Sequence, residues 1–288
     1  MLNSVMPKYF RMLLLLAIVV SGSSAFGQEV ARSKEVIEFI PTLADSLVKL
    51  ETTIFSNDPS DSIRADSTRG PVIIINHGTT PARTDLRYRA EDPVKFFLSL
   101  GCVVVIPMRC GYSNSGGKLV DVRDCDLTEY ALENADDIES VVTWVREQSD
   151  LKNRKIVLIG QSTGGLATMA YSSLTEQRVD AIINMHGGMR PTTPDACVLD
   201  AWIKAFATFA KTSSPESLWL YTANDHSSNP KFISWLYGSF VNAGGKAELH
   251  QLPAFKHDGH GLFGDPDGRA IWEPIVMNYL NRMGIFPK

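Results

Sequence analysis

Excess positive charge is missing from this chain. Its 28 Lys and Arg stand against 32 Asp and Glu, a formal net charge of −4 over 288 residues. The few basic clusters are interleaved with acids, so no surface for a polyanion is expected, and with it no nucleic-acid partner. A long apolar run is missing as well: Met12 to Val20 is too short for a comfortable bilayer span. No break in composition divides the chain, whose 44% hydrophobic and 21% charged residues suit a globular protein of one or two domains with an ample core. The one pair with a metal-like spacing, His257 and His260 in an HxxH pattern, lacks the Glu and the helical context of a zincin. Neither a metal nor an organic cofactor is expected.

What the first residues do contain is the pattern of a targeting segment. Lys8 and Arg11 precede the apolar run, small residues follow from Ser21 to Ala25, and Ala25-Phe26-Gly27 before Gln28 fits a small-x-small cleavage site. Residues 1–27 therefore read as a signal peptide, with an uncleaved anchor as the alternative. The expected location is exported, periplasmic or secreted, with no membrane contact after cleavage. Cysteine is scarce: Cys102, Cys110, Cys125 and Cys197 are the four, and none sits where a lipoprotein anchor would need it. In an oxidising compartment an even count permits pairing. Because the polar, glycine-containing stretch between Cys110 and Cys125 needs a staple, a Cys110–Cys125 disulfide is predicted, with Cys102 a buried thiol in an apolar strand.

Past this segment, strand-like and helix-like runs alternate. Leu50 to Phe55, Val72 to Ile75, Cys102 to Ile106, Ile156 to Ile159, Ala181 to Met185, Leu218 to Tyr221 and Ala247 to Leu252 read as strands. The inner ones are Val- and Ile-rich without alternation, as strands buried on both faces of a parallel sheet are. Between them Pro93 to Leu100 and Tyr130 to Glu147 have helical period, the latter with Ile138, Val141, Val142 and Val145 on one stripe. Further helices start at Asn229-Pro230 and near Arg269. The order predicts an α/β fold, an open and mostly parallel sheet with helices on both faces. Residues 187–215 interrupt it, either as a small cap walled by Trp202, Phe206 and Phe209 or as a crossover helix with a long entry loop.

The chemistry concentrates on Gly160-Gln161-Ser162-Thr163-Gly164, set between the apolar run ending at Ile159 and a helix-like run from Leu166. A strand, a sharp turn and a helix put the serine at an apex, where flanking glycines leave room for the strained turn. A serine hydroxyl is a poor nucleophile until a histidine within hydrogen-bond reach removes its proton, itself oriented by a carboxylate. Asp225 follows the strand Leu218 to Tyr221 at the same sheet edge and is the best acid; Asp195 and Asp200 are weaker rivals. His260, between two glycines, is preferred to His257 as the base. Backbone amides of Thr163 and Thr79 are placed to receive the oxyanion. His77 is read as a brace for the oxyanion loop, and His186 as a pocket wall or a satisfied core histidine. Arg83, Arg87 and Arg89 could steer a carboxylate substrate, but Asp85, Glu91 and Asp92 among them favour a self-paired surface.

Together, Ile75 to Thr79, Met108 to Ser113, the Ser162 elbow, Leu220 to His226 and Asp258 to Phe263 resemble the α/β-hydrolase superfamily, nearest to its dienelactone-hydrolase-like members. The resemblance implies one α/β-hydrolase domain over 28–288 with a Ser162, His260, Asp225 triad. The nucleophile position holds serine where the enzyme that names the subgroup has cysteine, so lactone chemistry does not carry over. The expectation is an exported serine esterase that cleaves a small-molecule ester through an acyl-enzyme. A serine peptidase of the prolyl-oligopeptidase-like type ranks second, set back because no propeller-sized segment precedes the core. A non-catalytic binding protein on the same fold is the third reading.

Overall fold

The computed structural model describes residues 33–57, 70–79, 84–123, 125–174, 178–189 and 197–286. The expected signal peptide lies outside the described residues. Over 32–288 the chain forms one compact unit, built on an eight-stranded sheet. The strands are β1 (Lys34–Pro41), β2 (Lys49–Ser56), β3 (Val72–Asn76), β4 (Val103–Pro107), β5 (Ile156–Gln161), β6 (Ala181–Met185), β7 (Ser217–Thr222) and β8 (Ala247–Leu252). Their order is β1-β2-β4-β3-β5-β6-β7-β8. The first two pairings, β1 with β2 and β2 with β4, are antiparallel, and all others are parallel.

The unalternating apolar runs have the cause the sequence implies. β3 and β4 are buried at every position, because successive side chains point to opposite faces and both faces are covered. Val72 and Ile74 face one side with Val105, Ile156 and Leu158, against the stripe Ile138, Val141, Val142 and Val145 of α2 (Leu127–Glu147). Ile73 and Ile75 face the other side with Phe97 of α1 (Glu91–Ser99) and Trp272 and Val276 of α6 (Arg269–Arg282). α3 (Thr163–Tyr171), α4 (Cys197–Ala210) and α5 (Pro230–Asn242) join α2 on the first side. Asp126 starts α2 by accepting hydrogen bonds from the backbone N–H groups of Thr128 and Glu129, and Asn229 does the same for α5 through Phe232.

β1 is the one strand the sequence reading omits. It is an edge strand exposed at most positions, in which Lys34, Glu35 and Glu38 break up Val36, Ile37, Phe39 and Ile40, so no continuous apolar run marks it. Between the two readings of 187–215, α4 behaves as a crossover helix. Trp202, Phe206 and Phe209 are buried in the core under it, Phe206 edge-on to Trp219 with ring centroids 5.1 Å apart. The preceding loop, 190–196, lies outside the described residues, and Asp195 with it.

The Cys110–Cys125 disulfide is not formed. Cys110 is a free thiol whose Sγ donates to Asp137 Oδ1 at 3.2 Å, and Cys102 is free and buried as expected. The polar stretch after Cys110 is held instead by hydrogen bonds: the Gly111 N–H reaches the Gly116 carbonyl, and the Gly116 N–H reaches the Lys49 carbonyl on β2. Backbone pairing to a neighbouring strand holds the start of the stretch, where the sequence reading placed one end of a disulfide.

Candidate active site

The parallel strands all end on one edge, where ligands of open α/β sheets are bound, and three of those ends carry the site. At the end of β5, Ser162 has φ 55° and ψ −127°, a left-handed conformation that a side-chain-bearing residue adopts only when its surroundings impose it. They do so here. The Ser162 N–H donates to the Met185 carbonyl on β6, and its carbonyl accepts from Leu166 of α3 and from Gly188. The glycine at 164 is needed for close approach, since a Cβ there would fall 2.2 Å from the Asn76 carbonyl oxygen. Gly78, on the loop after β3, is needed likewise: its Cβ would lie 2.8 Å from Ser162 Cβ.

At the end of β7, Asp225 is buried, and His260 Nδ1 sits 3.1 Å from both of its carboxylate oxygens. Burial alone would raise the Asp225 pKa, but the His260 hydrogen bond and charge, with the Ser227 N–H at 2.6 Å, hold it below the ordinary carboxylate range. A carboxylate facing Nδ1 keeps the ring proton there and leaves Nε2 as the base. His260 is carried by a single 3-10 turn, Gly259–Gly261, capped by Asp258, which accepts from the His260 N–H. Asn224, beside Asp225, clamps that loop: its Oδ1 accepts from Phe255 N–H and its Nδ2 donates to the Phe255 and Lys256 carbonyls. Ser162 and His260 line one open pocket of about 360 Å³, together with His77, Thr79, Tyr88, Tyr112 and Gln161.

The structure thus brings together Ser162, His260, Asp225, Thr79 and Thr163. It does not bring in His257, which is exposed and turned edge-on to His226 at 5.4 Å, nor Asp200, exposed on α4. His77 is a brace: its Nδ1 donates to the Gly78 carbonyl and its Nε2 accepts from Arg109 N–H. Burial, and then the Arg109 charge, push its pKa down to about 3. His186 is buried behind the site, its ring 5.7 Å from that of His260, with Nε2 accepting from Thr222 N–H; burial lowers its pKa to about 4.

Arg87 and Arg89 are paired, but not with their acidic neighbours in sequence. Glu35 on β1 accepts both guanidinium nitrogens of Arg89 at 2.6 Å and Arg87 at 3.0 Å, and Glu51 on β2 lies 3.8 Å from Arg87. Arg83 lies outside the described residues. The sequence reading also missed Arg109 and Gln161. Gln161 joins the pocket wall to the His260 loop, accepting from Tyr88 OH at 2.9 Å and donating to the His260 carbonyl at 3.2 Å. Both sit inside motifs already singled out, so the signal was present, but only distances reveal what they hold.

A family model described as X-Pro dipeptidyl-peptidase (S15 family) matches residues 45–196, a span that contains the elbow and ends before Asp225 and His260. A comparison with curated proteins returns no match. Among solved structures, an esterase of Pyrococcus furiosus aligns with TM-score 0.59 at 17% identity over 87% of this chain and 92% of its own. The acylaminoacyl peptidase of Pyrococcus horikoshii aligns with TM-score 0.62 at 16% identity, over 87% of this chain but 42% of its own. A putative dienelactone hydrolase from Klebsiella pneumoniae aligns with TM-score 0.57 at 14% identity, over 85% of this chain and 98% of that one. At these identities the likeness is one of fold, and the dienelactone hydrolases are one of several equally distant groups rather than the nearest. This α/β-hydrolase-fold chain, matched over more than half its length, belongs to the X-Pro dipeptidyl-peptidase (S15) family.

Proposed function

We propose that the protein is a serine peptidase that cleaves the acyl bond of small peptides, an X-Pro unit on the acyl side being the substrate its family membership favours. This replaces the esterase expectation. The observation that carries the serine-hydrolase part is the strained Ser162 sharing a pocket with His260, whose other ring nitrogen faces the buried Asp225. In this reading Ser162 Oγ bonds to the substrate carbonyl carbon while its proton passes to His260 Nε2. The carbonyl electron pair moves onto oxygen, where the Thr79 and Thr163 amides receive it. His260 then returns the proton to the departing amine, leaving an acyl-enzyme that water opens by the same steps.

Small-ester cleavage is a second reading with an observation of its own. Releasing a dipeptide requires a carboxylate to hold the free amino terminus, and no acidic residue is among the described pocket-lining residues. The nearby Glu35 and Glu51 are engaged by arginines. The test is labelling with a fluorophosphonate, followed by kcat/KM on X-Pro anilides beside short-chain nitrophenyl esters, with Ser162→Ala as control. Ser162-dependent anilide turnover supports the peptidase. Turnover of esters alone transfers the assignment to an esterase, and no labelling of folded wild type rejects both.

A further inference from the structure

Beneath the pocket lies a charged group for which the triad has no use. Arg109 is almost wholly buried at 1% exposure, and among the described residues it forms no ion pair. Its Nη1 donates to Asn134 Oδ1 at 2.9 Å, and Asn134 is itself oriented by donating to the Tyr130 carbonyl. Its Nη2 donates to Thr163 Oγ1 at 3.1 Å, while Nε finds no hydrogen-bond partner. The guanidinium lies 5.3 Å over the Tyr112 ring. The nearby Asp137 carboxylate is occupied by the N–H and Sγ of Cys110. A buried cation costs too much desolvation to serve as filler, so what its hydrogen bonds polarise is the question.

The protons along the chain can be assigned. A hydroxyl has one proton and two lone pairs. Thr163 Oγ1 accepts from Arg109 and is buried, so its own proton needs an acceptor, and Thr79 Oγ1 lies 2.8 Å away. Thr79 Oγ1 accepts from Tyr112 OH as well, at 3.2 Å. With both lone pairs taken, the Thr79 proton is the free end of the chain, and Thr79 lines the pocket beside Ser162.

Building on the Ser162 nucleophile proposed above, we infer that the Thr79 hydroxyl is a third donor to the oxyanion, polarised by Arg109 through Thr163. Thr79 touches the reacting oxygen. Arg109 and the Thr163 hydroxyl are positioning groups that act through it. No proton is transferred along the chain: it strengthens one hydrogen bond as the carbonyl oxygen gains charge, and in a dry, preorganised setting that is where such a bond counts most. The sequence reading assigned Thr79 and Thr163 only their backbone amides, which any residue could supply. The hydroxyls are what the chemistry would select.

The experiment measures kcat and KM on a short-chain nitrophenyl ester, with binding of a trifluoromethyl ketone as transition-state analogue. Thr79→Val keeps the amide and the shape but removes the hydroxyl. It is expected to lower kcat about 10- to 100-fold, less than removal of a main oxyanion donor, with KM nearly unchanged and analogue affinity falling in step. Thr79→Ser recovers most of that loss. Thr163→Val gives a similar loss, and the Thr79→Val, Thr163→Val double variant is no worse than the poorer single, because both cut one chain. Arg109→Lys, which keeps charge without the fork, matches Thr163→Val; should it misfold, the threonine variants decide. Wild-type kcat in Thr79→Val, or additive losses in the double variant, would overturn the inference while an inactive Ser162→Ala leaves the nucleophile assignment standing. Full activity of Ser162→Ala would remove both.

Discussion

At Asp225 two opposing effects meet, and their balance is what the triad reading depends on. Burial disfavours its charge, while His260 and the Ser227 N–H favour it and win, so the carboxylate stays ionised at neutral pH. Replacing it with Asn offers the His260 ring an N–H as readily as an oxygen, and the imidazole can then turn or hold its proton on the wrong nitrogen. Asp225→Asn is therefore expected to lower kcat by about 10⁴-fold with the fold retained, the loss seen when the same carboxylate is replaced in another triad. Steady-state kinetics with circular dichroism on the variant checks this, and kcat within tenfold of wild type would detach Asp225 from the mechanism. Ser162, Asp225 and His260 were legible as candidates from residue types and order, because a nucleophile, an acid and a base need those chemistries in those places. Arg109 was not, since its significance lies in Thr163 being 3.1 Å away, 54 positions along the chain.

Among the elements, α4 separates two accounts of residues 187–215. If the helix walled the substrate, Phe206 would influence acyl preference. Instead it is fully buried, packed against Trp219 and Phe240, and absent from the pocket lining. Phe206→Ala should cost about 3–5 kcal/mol of stability, the transfer and cavity terms for a large buried ring. Its kcat/KM on short and long acyl chains should be unchanged in the folded fraction. Urea unfolding and an ester series measure the two, and a shifted chain-length preference would restore the helix to the pocket. Sequence periodicity recognised the amphipathic stripe here but not its partner, because an apolar stripe is the same whether it covers a sheet or a substrate.

Over the whole molecule, two buried histidines couple the fold to pH. His77 and His186 have pKa values of about 3 and about 4, against 6.5 for an ordinary histidine, with burial the main cause in both. Since their folded values lie below their unfolded ones, the unfolded chain binds more protons, and stability falls as pH drops. The stabilisation is complete above about pH 6.5 and is lost through the interval down to about 4 for His186 and about 3 for His77. The combined loss by pH 4 is on the order of a few kcal/mol. A urea midpoint lower at pH 4.5 than at pH 7.5 is expected, and His186→Asn should flatten the dependence. Equal midpoints for wild type would contradict the placement of both rings.

From the sequence alone came seven of the eight described strands, the elbow and the candidate acid and base, because each depends on local rules: apolar runs for buried strands, glycines for a tight turn, residue chemistry for proton transfer. Tertiary structure alone decided three things. It left Cys110 a free thiol facing Asp137, where a disulfide to Cys125 had been expected from spacing and redox reasoning. It gave Arg87 and Arg89 to Glu35, on an edge strand that no continuous apolar run marks in advance. It also set Arg109 under Thr163 and Thr79. The physical reason is common to all three: covalent, ionic and hydrogen-bonded partners are chosen by distance after the sheet has assembled, and pairings across 27 to 84 residues leave no mark in the spacing of either partner.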